Sequence, residues 1–444
     1  MTYHRTDQGN AEFFVSLTKK ELRYDHAQKR WLMWRQYWWE PDRVEAVMEW
    51  AAKALRKRAE KAATLEDADE YRAEMKHVLA SESLTKLRAM VDRARSMPPV
   101  SDAGDAWDEV PHLLGVANGV VDLRRGGLVK PDVKQRITKH CGMPFDATAT
   151  APTWDKVLTD IFDEPEMRAY FQAAVGYSIT GETREQCLFC LFGEGGNGKS
   201  TLTDALTATL DPYSYTMPFS TLEFQDRSSV SNDVAALAGR RFVVASETQE
   251  DVRLNEGRIK SLTGDARITA RRLYQEYFSF RPQAKYWLAF NHKPRTTDDS
   301  HGFWRRMRLI SMLKQFDAGS CDPHLAVKLQ AEKQGILRWA VEGAKTWYEQ
   351  GLQTPVTVTV DTANYRVEND PLREYFEDRI ELGANTYMAN GDLYEDYIDY
   401  CKKMGDRFHL GRKKFSQRLL AKGLRQEIRE AQRCWMGVKI KEPV

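Results

Sequence analysis

Residues 193–200 read Gly193-Glu194-Gly195-Gly196-Asn197-Gly198-Lys199-Ser200 and fit the pattern G-x-x-x-x-G-K-[ST] at every fixed position. Glycines at those places let backbone N–H groups approach phosphate oxygens. A lysine there supplies point charge for the β and γ groups, and a hydroxyl can ligate Mg²⁺. The chemistry indicated is nucleotide phosphate binding, with ATP and Mg²⁺ as ligands. Residues 193–200 and Thr201 are the expected contacts, with Ser200 on the metal. An acid would complete such a site, and Glu247 closes the apolar run Arg241-Phe242-Val243-Val244-Ala245-Ser246, where it could hold the Mg²⁺ shell or polarise a water. A polar side chain that senses the γ-phosphate is expected at Asn291, directly after Tyr286-Trp287-Leu288-Ala289-Phe290. The pair Arg305 and Arg306 could offer a cation to charge that develops in phosphoryl transfer.

These groups need a scaffold. Cys187-Leu188-Phe189-Cys190-Leu191-Phe192 is a short apolar run of the kind found in buried parallel strands. Leu202, Ala205, Leu206 and Leu210 then mark one face of a helix, so Lys199 and Ser200 would open that helix with phosphate at its positive end. Glu247 is expected at the carboxyl end of a strand neighbouring the P-loop strand. Between Glu247 and Asn291, residues 267–280 alternate like a β-hairpin whose tip carries Arg271, Arg272 and Tyr274, cations for phosphate beside an aromatic face for a base. Lys260 and Arg267 are further candidate DNA contacts. Cys187 and Cys190 spell C-x-x-C, but on a strand they point to opposite faces, so packing is the reading rather than metal or redox work.

The chain has 444 residues, 42% hydrophobic and 29% charged, with six scattered cysteines and a formal net charge of +2. Those values fit a water-soluble protein of two to four domains without a disulfide framework. No apolar run is long enough for a membrane span, and the first residues lack a signal region, so a cytoplasmic protein is expected, in a bacterial host cell. Residues 1–150 read as a mostly helical N-terminal domain. Trp31, Trp34, Trp38 and Trp39 are read as packing groups near a hairpin that turns at Ala27 to Lys29. Pro41 suits the start of a helix striped by Val44, Val47, Met48, Ala51 and Leu55, and the basic run from Leu55 to Lys61 reads as a solvated face. The acidic cluster at Asp67 to Glu70 is likewise read as solvated rather than as a two-metal site. Residues 151–350 hold the nucleotide motifs. Residues 360–444 read as a small basic domain in winged-helix order, with Lys413, Lys414 and Arg418 on a helix suited to DNA phosphates.

Taken in order, Gly193 to Thr201, Ser246-Glu247-Thr248, Lys260 to Asp265 with Ala270-Arg271, Asn291-His292-Lys293-Pro294 and Trp304-Arg305-Arg306 resemble superfamily 3 helicases of the phage/plasmid primase type. They are similar to the helicase halves of satellite-phage and poxvirus primase-helicases. Leu113 to Leu123 looks like part of the domain that precedes the helicase in those proteins. The resemblance implies an α/β fold with an AAA+ P-loop NTPase core, a ring that is usually hexameric, and 3′ to 5′ translocation on single-stranded DNA. It makes Lys199, Glu247, Asn291 and Arg305 catalytic, with Arg306 as the rival finger. Many members carry two adjacent acids where this chain has Glu247 and Thr248, so Glu247 is left to serve alone. The primase domain of larger members is not expected here, which puts a separate primase among the partners. The alternative reading is a DNA-binding regulator or assembly factor switched by ATP, without translocation.

Overall fold

The computed structural model describes residues 3–224, 232–247, 249, 252–274, 276–298, 300–317, 319, 322–405, 409–429 and 431–441. Thr248 and Gln275 lie outside the described residues. The central element is a five-stranded sheet. Numbered in chain order within it, β1 is Leu188–Phe192, β2 Ser214–Thr216, β3 Phe242–Glu247, β4 Lys285–Phe290 and β5 Met307–Ser311. All pairings are parallel and the spatial order is β5-β1-β4-β3-β2. Glu247 therefore does not end a strand that neighbours the P-loop strand. β4, which leads into Asn291, lies between the two, an order that no local sequence pattern encodes.

The strands read as unbroken apolar runs because both faces of the sheet are buried. Phe189, Leu191, Phe242, Val244, Trp287 and Ile310 point into one core. Leu188, Cys190, Val243, Ala245, Leu288 and Leu309 point into the other. Cys187 and Cys190 fall in these opposite cores, and burial pushes the Cys187 thiol up to about 12. On the first face, helices Pro165–Ile179 and Lys333–Gln350 cross at Gly176 and Gly343. A Cβ on Gly176 would lie 2.0 Å from the Gly343 carbonyl carbon, so only glycine permits this approach. The second face is covered by helix Glu256–Gly264, by Phe303 and Trp304, and by Tyr365 of helix Val356–Glu368.

The N-terminal region has its own core, built on helices Asp7–Thr18, Ala46–Ala62, Ala68–Ser81 and Leu84–Ala94. It also carries a four-stranded sheet, within which Leu22–Asp25 and Arg30–Trp34 form the hairpin that turns through Lys29. Trp31 and Trp39 are buried, and Trp38 packs against His140 with ring centroids 4.0 Å apart and planes tilted by 35°. Pro41 ends a strand instead of starting the helix. Glu45 holds the N-cap position without a side-chain bond, and the Asp42 carboxylate takes over that role, accepting from the N–H groups of Ala46 and Val47 at 2.9 Å each. Val44 precedes the helix and is exposed. Nor is the basic run wholly solvated, because Arg58 is buried and bonded to Glu74 at 2.5 Å and to Asn10 Oδ1 at 2.9 Å. The segment Leu113–Asp122 forms a hairpin whose Leu114, Val116 and Val121 bury into the same core as the central sheet.

The C-terminal region runs helix Arg373–Arg379, strand Ile380–Ala389, helices Asn390–Met404 and Arg412–Ala421, then strands Arg425–Arg429 and Gln432–Ile440. The three strands form one sheet around a separate core that includes Phe415, Leu419 and Trp435. Among the described residues, no helix is long and apolar enough to cross a membrane.

Candidate functional site

The glycine-rich loop joins the carboxyl end of β1 to helix Lys199–Leu210, so its backbone turns where parallel strands leave the sheet. Gly195, Gly196 and Gly198 adopt φ values of +108°, +63° and +80°, a region that side chains with a Cβ rarely enter. Gly198 occupies the helix N-cap, and a Cβ there would sit 2.6 Å from Ile161 Cδ1. On Gly195 the same atom would meet nothing within 4 Å, so the loop opens toward solvent on that side. Asn197 stiffens the loop, accepting from the Gly195 N–H at 2.7 Å and donating to Lys314 O at 2.9 Å. The Phe316 N–H donates to Gly196 O at 2.9 Å. Lys199 is buried, with Nζ on Gly193 O at 2.5 Å and 3.5 Å from Asn197 Oδ1. Burial lowers its pKa. Glu194 and Ser200 are exposed and Thr201 is half-buried. A helix start without acidic residues in its first turn, a desolvated lysine and an open glycine loop suit a polyphosphate with its Mg²⁺.

Glu247 and Asn291 follow adjacent strands at this same end of the sheet, since Glu247 pairs with Phe290 and Phe290 with Phe192. The Glu247 carboxylate is buried and accepts from the Gln249 N–H at 2.5 Å. A second carboxyl, which the sequence reading missed, reaches it from Glu223. Burial, then the charge of Glu247 and a hydrogen bond with it, raise the Glu223 pKa. Glu223 follows the short turn Phe219–Thr221 after β2, so spacing along the chain gives no hint of the pairing.

The two arginines separate clearly. Arg306 is buried, with Nε on Thr263 Oγ1 at 3.0 Å and Nη1 on Gly302 O. Arg305 is exposed and reaches Gln186 Oε1 at 2.7 Å. Both stand at the amino-terminal end of β5, where Met307 pairs with Leu188, whereas the glycine loop leaves β1 beyond the pair Ser311 and Phe192. Four strand steps at about 3.3 Å each put roughly 13 Å of sheet between them. Arg305 thus stands at the opposite end of the sheet from the glycine loop of its own chain.

Strands Ile268–Arg271 and Tyr277–Phe280 form an antiparallel hairpin. Its tip is exposed, Tyr274 fully so at 96%, and Tyr274 turns the chain with φ +58°. Arg271 lies 5.1 Å over the Tyr277 ring and Arg272 5.4 Å over Phe278, which presents cations and ring faces together. Arg267 is exposed at the hairpin root and donates to Ser279 O at 3.2 Å. Lys260 is elsewhere, its Nζ engaged with Asp298 and Ser300 instead of free for phosphate. In the basic C-terminal helix, Lys413 is exposed. Lys414 and Arg418 turn toward Thr297, with Lys414 Nζ 3.4 Å from its hydroxyl and Arg418 Nη2 3.2 Å from its carbonyl.

Three family models match the chain. Residues 11–163 match the model described as D5 N terminal like, residues 191–306 a family of unknown function (DUF5906), and residues 367–441 the model described as poxvirus D5 protein-like. A protein of Acanthamoeba polyphaga mimivirus, provisionally named a helicase, is 29% identical over 320 residues, covering 66% of this chain and 33% of that protein. An African swine fever virus protein, provisionally named a primase, is 25% identical over 325 residues, with the same coverage of 66% and 33%. A third, provisionally named a helicase of Invertebrate iridescent virus 6, is 24% identical over 351 residues, 67% of this chain and 35% of that protein. The chain spans about a third of the length of these curated relatives. They come from large DNA viruses of eukaryotes, which gives no support to a bacterial host. The solved apo NrS-1 C-terminal region aligns over 96% of this chain and 99% of that one, at 11% identity and a TM-score of 0.45, a likeness too loose to bear on the site.

Proposed function

For a chain that carries the D5 N-terminal-like and poxvirus D5 protein-like domains of the primase-helicase family, we propose an ATP-driven DNA helicase acting in the replication of a large DNA virus or related mobile element. The observation that carries this reading is the glycine loop at the carboxyl end of β1. Its three positive-φ glycines and buried Lys199 suit a nucleotide polyphosphate, and Glu247 and Asn291 stand at the same sheet end. In this reading Ser200 and Glu247 hold Mg²⁺, Asn291 contacts the γ-phosphate, and the hairpin with Arg271, Arg272 and Tyr274 grips single-stranded DNA in a 3′ to 5′ ring, usually hexameric.

Arg305 supports a shared site. It is exposed at the far end of the sheet from its own glycine loop, so it could act only on the nucleotide of a neighbouring subunit in a head-to-tail ring. Arg306, which is buried and spent on Thr263 and Gly302, is the weaker candidate. Mixing two inactive variants tests this. Lys199→Met retains the finger and Arg305→Ala retains the nucleotide loop, so about a quarter of interfaces in a random mixed ring would be complete. Recovery of hydrolysis on mixing is the expected result. Full activity of Arg305→Ala alone, or no recovery at any ratio, would remove the trans finger.

A further inference from the structure

The loop that follows Asn291 is held from outside its own strand. Glu256, in the first turn of helix Glu256–Gly264, accepts four hydrogen bonds on one carboxylate oxygen. They come from Thr296 Oγ1 at 2.8 Å, the Thr297 N–H at 2.7 Å, Thr297 Oγ1 at 3.3 Å and the Asp298 N–H at 3.2 Å. One turn further on, Lys260 Nζ binds Asp298 Oδ2 and lies 3.0 Å from Ser300 Oγ. The backbone just ahead of the helix pairs with the same loop. The Arg295 N–H donates to Val252 O at 2.7 Å and the Leu254 N–H to Arg295 O at 2.9 Å. Charge-assisted bonds of this kind are about twice as strong as neutral ones, so loop and helix should move as one piece.

The far end of that helix leads to the hairpin. Only Asp265, Ala266 and Arg267 separate Gly264 from Ile268, where the hairpin's first strand begins. A helix of this length is a rod of about 13 Å. A shift of the loop after Asn291 therefore reaches the hairpin root without passing through the sheet. We propose that Glu256 and Lys260 are positioning residues that couple the nucleotide state read at Asn291 to the grip of the Ile268–Phe280 hairpin on single-stranded DNA. This inference rests on the function proposed above and moves Lys260 from a DNA contact to the coupling element.

Coupling between two ligands is reciprocal, which gives a readout that a merely structural residue does not move. The measurement is the affinity of the full chain for a labelled oligothymidylate with and without a non-hydrolysable ATP analogue, and of the analogue with and without the oligonucleotide. Wild type is expected to show the same factor both ways, about 5- to 150-fold. In Glu256→Gln and in Lys260→Met that factor should collapse toward one, while each affinity measured alone stays within about threefold. Glu256→Asp keeps the charge and serves where the Gln variant does not fold. It is expected to restore part of the factor. A variant that melts lower yet keeps the wild-type factor would overturn the inference. A wild-type factor of one alongside normal ATP turnover would overturn the coupling and leave the ATPase reading standing. Failure of wild type to bind the analogue would overturn both.

Discussion

Lys199→Met removes the charge at the centre of the glycine loop and keeps most of the buried alkyl stem. Because burial lowers the Lys199 pKa, its ammonium is penalised in the folded protein; this offsets part of its hydrogen bond to Gly193 O, so loss of that charge should change unliganded stability by no more than about 1–2 kcal/mol. The change should appear only with nucleotide. A hydrogen bond to a charged group contributes about 1.5–3 kcal/mol, so the variant should bind MgATP about 10- to 150-fold more weakly. At a nucleotide concentration that is 100 times the wild-type Kd, wild type gains about 2.7 kcal/mol, and the variant should gain only about 0.3–1.4 kcal/mol. Urea unfolding with and without a non-hydrolysable MgATP analogue measures both numbers. Wild-type stabilisation by the analogue, together with normal turnover, would refute the assignment of the loop. So would a large loss of unliganded stability, which would make Lys199 a structural strut for Gly193 and Asn197.

Arg306→Ala should cost about 2–3 kcal/mol in unfolding experiments, since it strips buried bonds to Thr263 and Gly302, whereas exposed Arg305→Ala should stay within about 0.5 kcal/mol. Replacing both Arg271 and Arg272 by Ala should spare basal hydrolysis but abolish its stimulation by single-stranded DNA. It should also flatten the salt slope of binding by about 0.7 for each phosphate no longer neutralised, and wild-type unwinding by this variant would move the DNA grip elsewhere. Asp298→Asn tests the clamp on the loop after Asn291. Burial opposes ionisation of Asp298, but Lys260 and Ser300 outweigh it and hold the carboxyl below its ordinary value of 3.8. The wild-type advantage of about 1 kcal/mol or less should thus be complete at neutral pH and fade only as pH falls below that value. A gap that closes near neutral pH would contradict the contact.

The strand-loop-helix at Lys199 was legible because its signals are local. Apolar strands with both faces buried leave unbroken runs, and the glycines stand where positive φ is required. What the sequence hid depends on tertiary placement. Arg305 and Arg306 are the same residue type side by side, and only burial tells them apart. Glu223 reaches Glu247 across a sheet order that no spacing encodes. Strand Ile380–Ala389 has no local signature, because after Ile380-Glu381-Leu382 its apolar and polar residues stop alternating and most of it is exposed or half-buried. Lys260 reads as a phosphate contact from its place shortly ahead of the hairpin, and only the fold shows its Nζ paired with Asp298. The paired expectations for Lys414 and Arg418 meet Thr297 in the same way.

Strand separation is the direct test of the central claim. Of two duplexes, one with a 3′ and one with a 5′ single-stranded tail, incubated with MgATP, wild type should unwind the 3′-tailed one, and neither Lys199→Met nor wild type without ATP should unwind either. Wild-type protein that binds single strands and hydrolyses ATP, yet separates neither substrate, would contradict translocation and leave an ATP-switched DNA-binding protein.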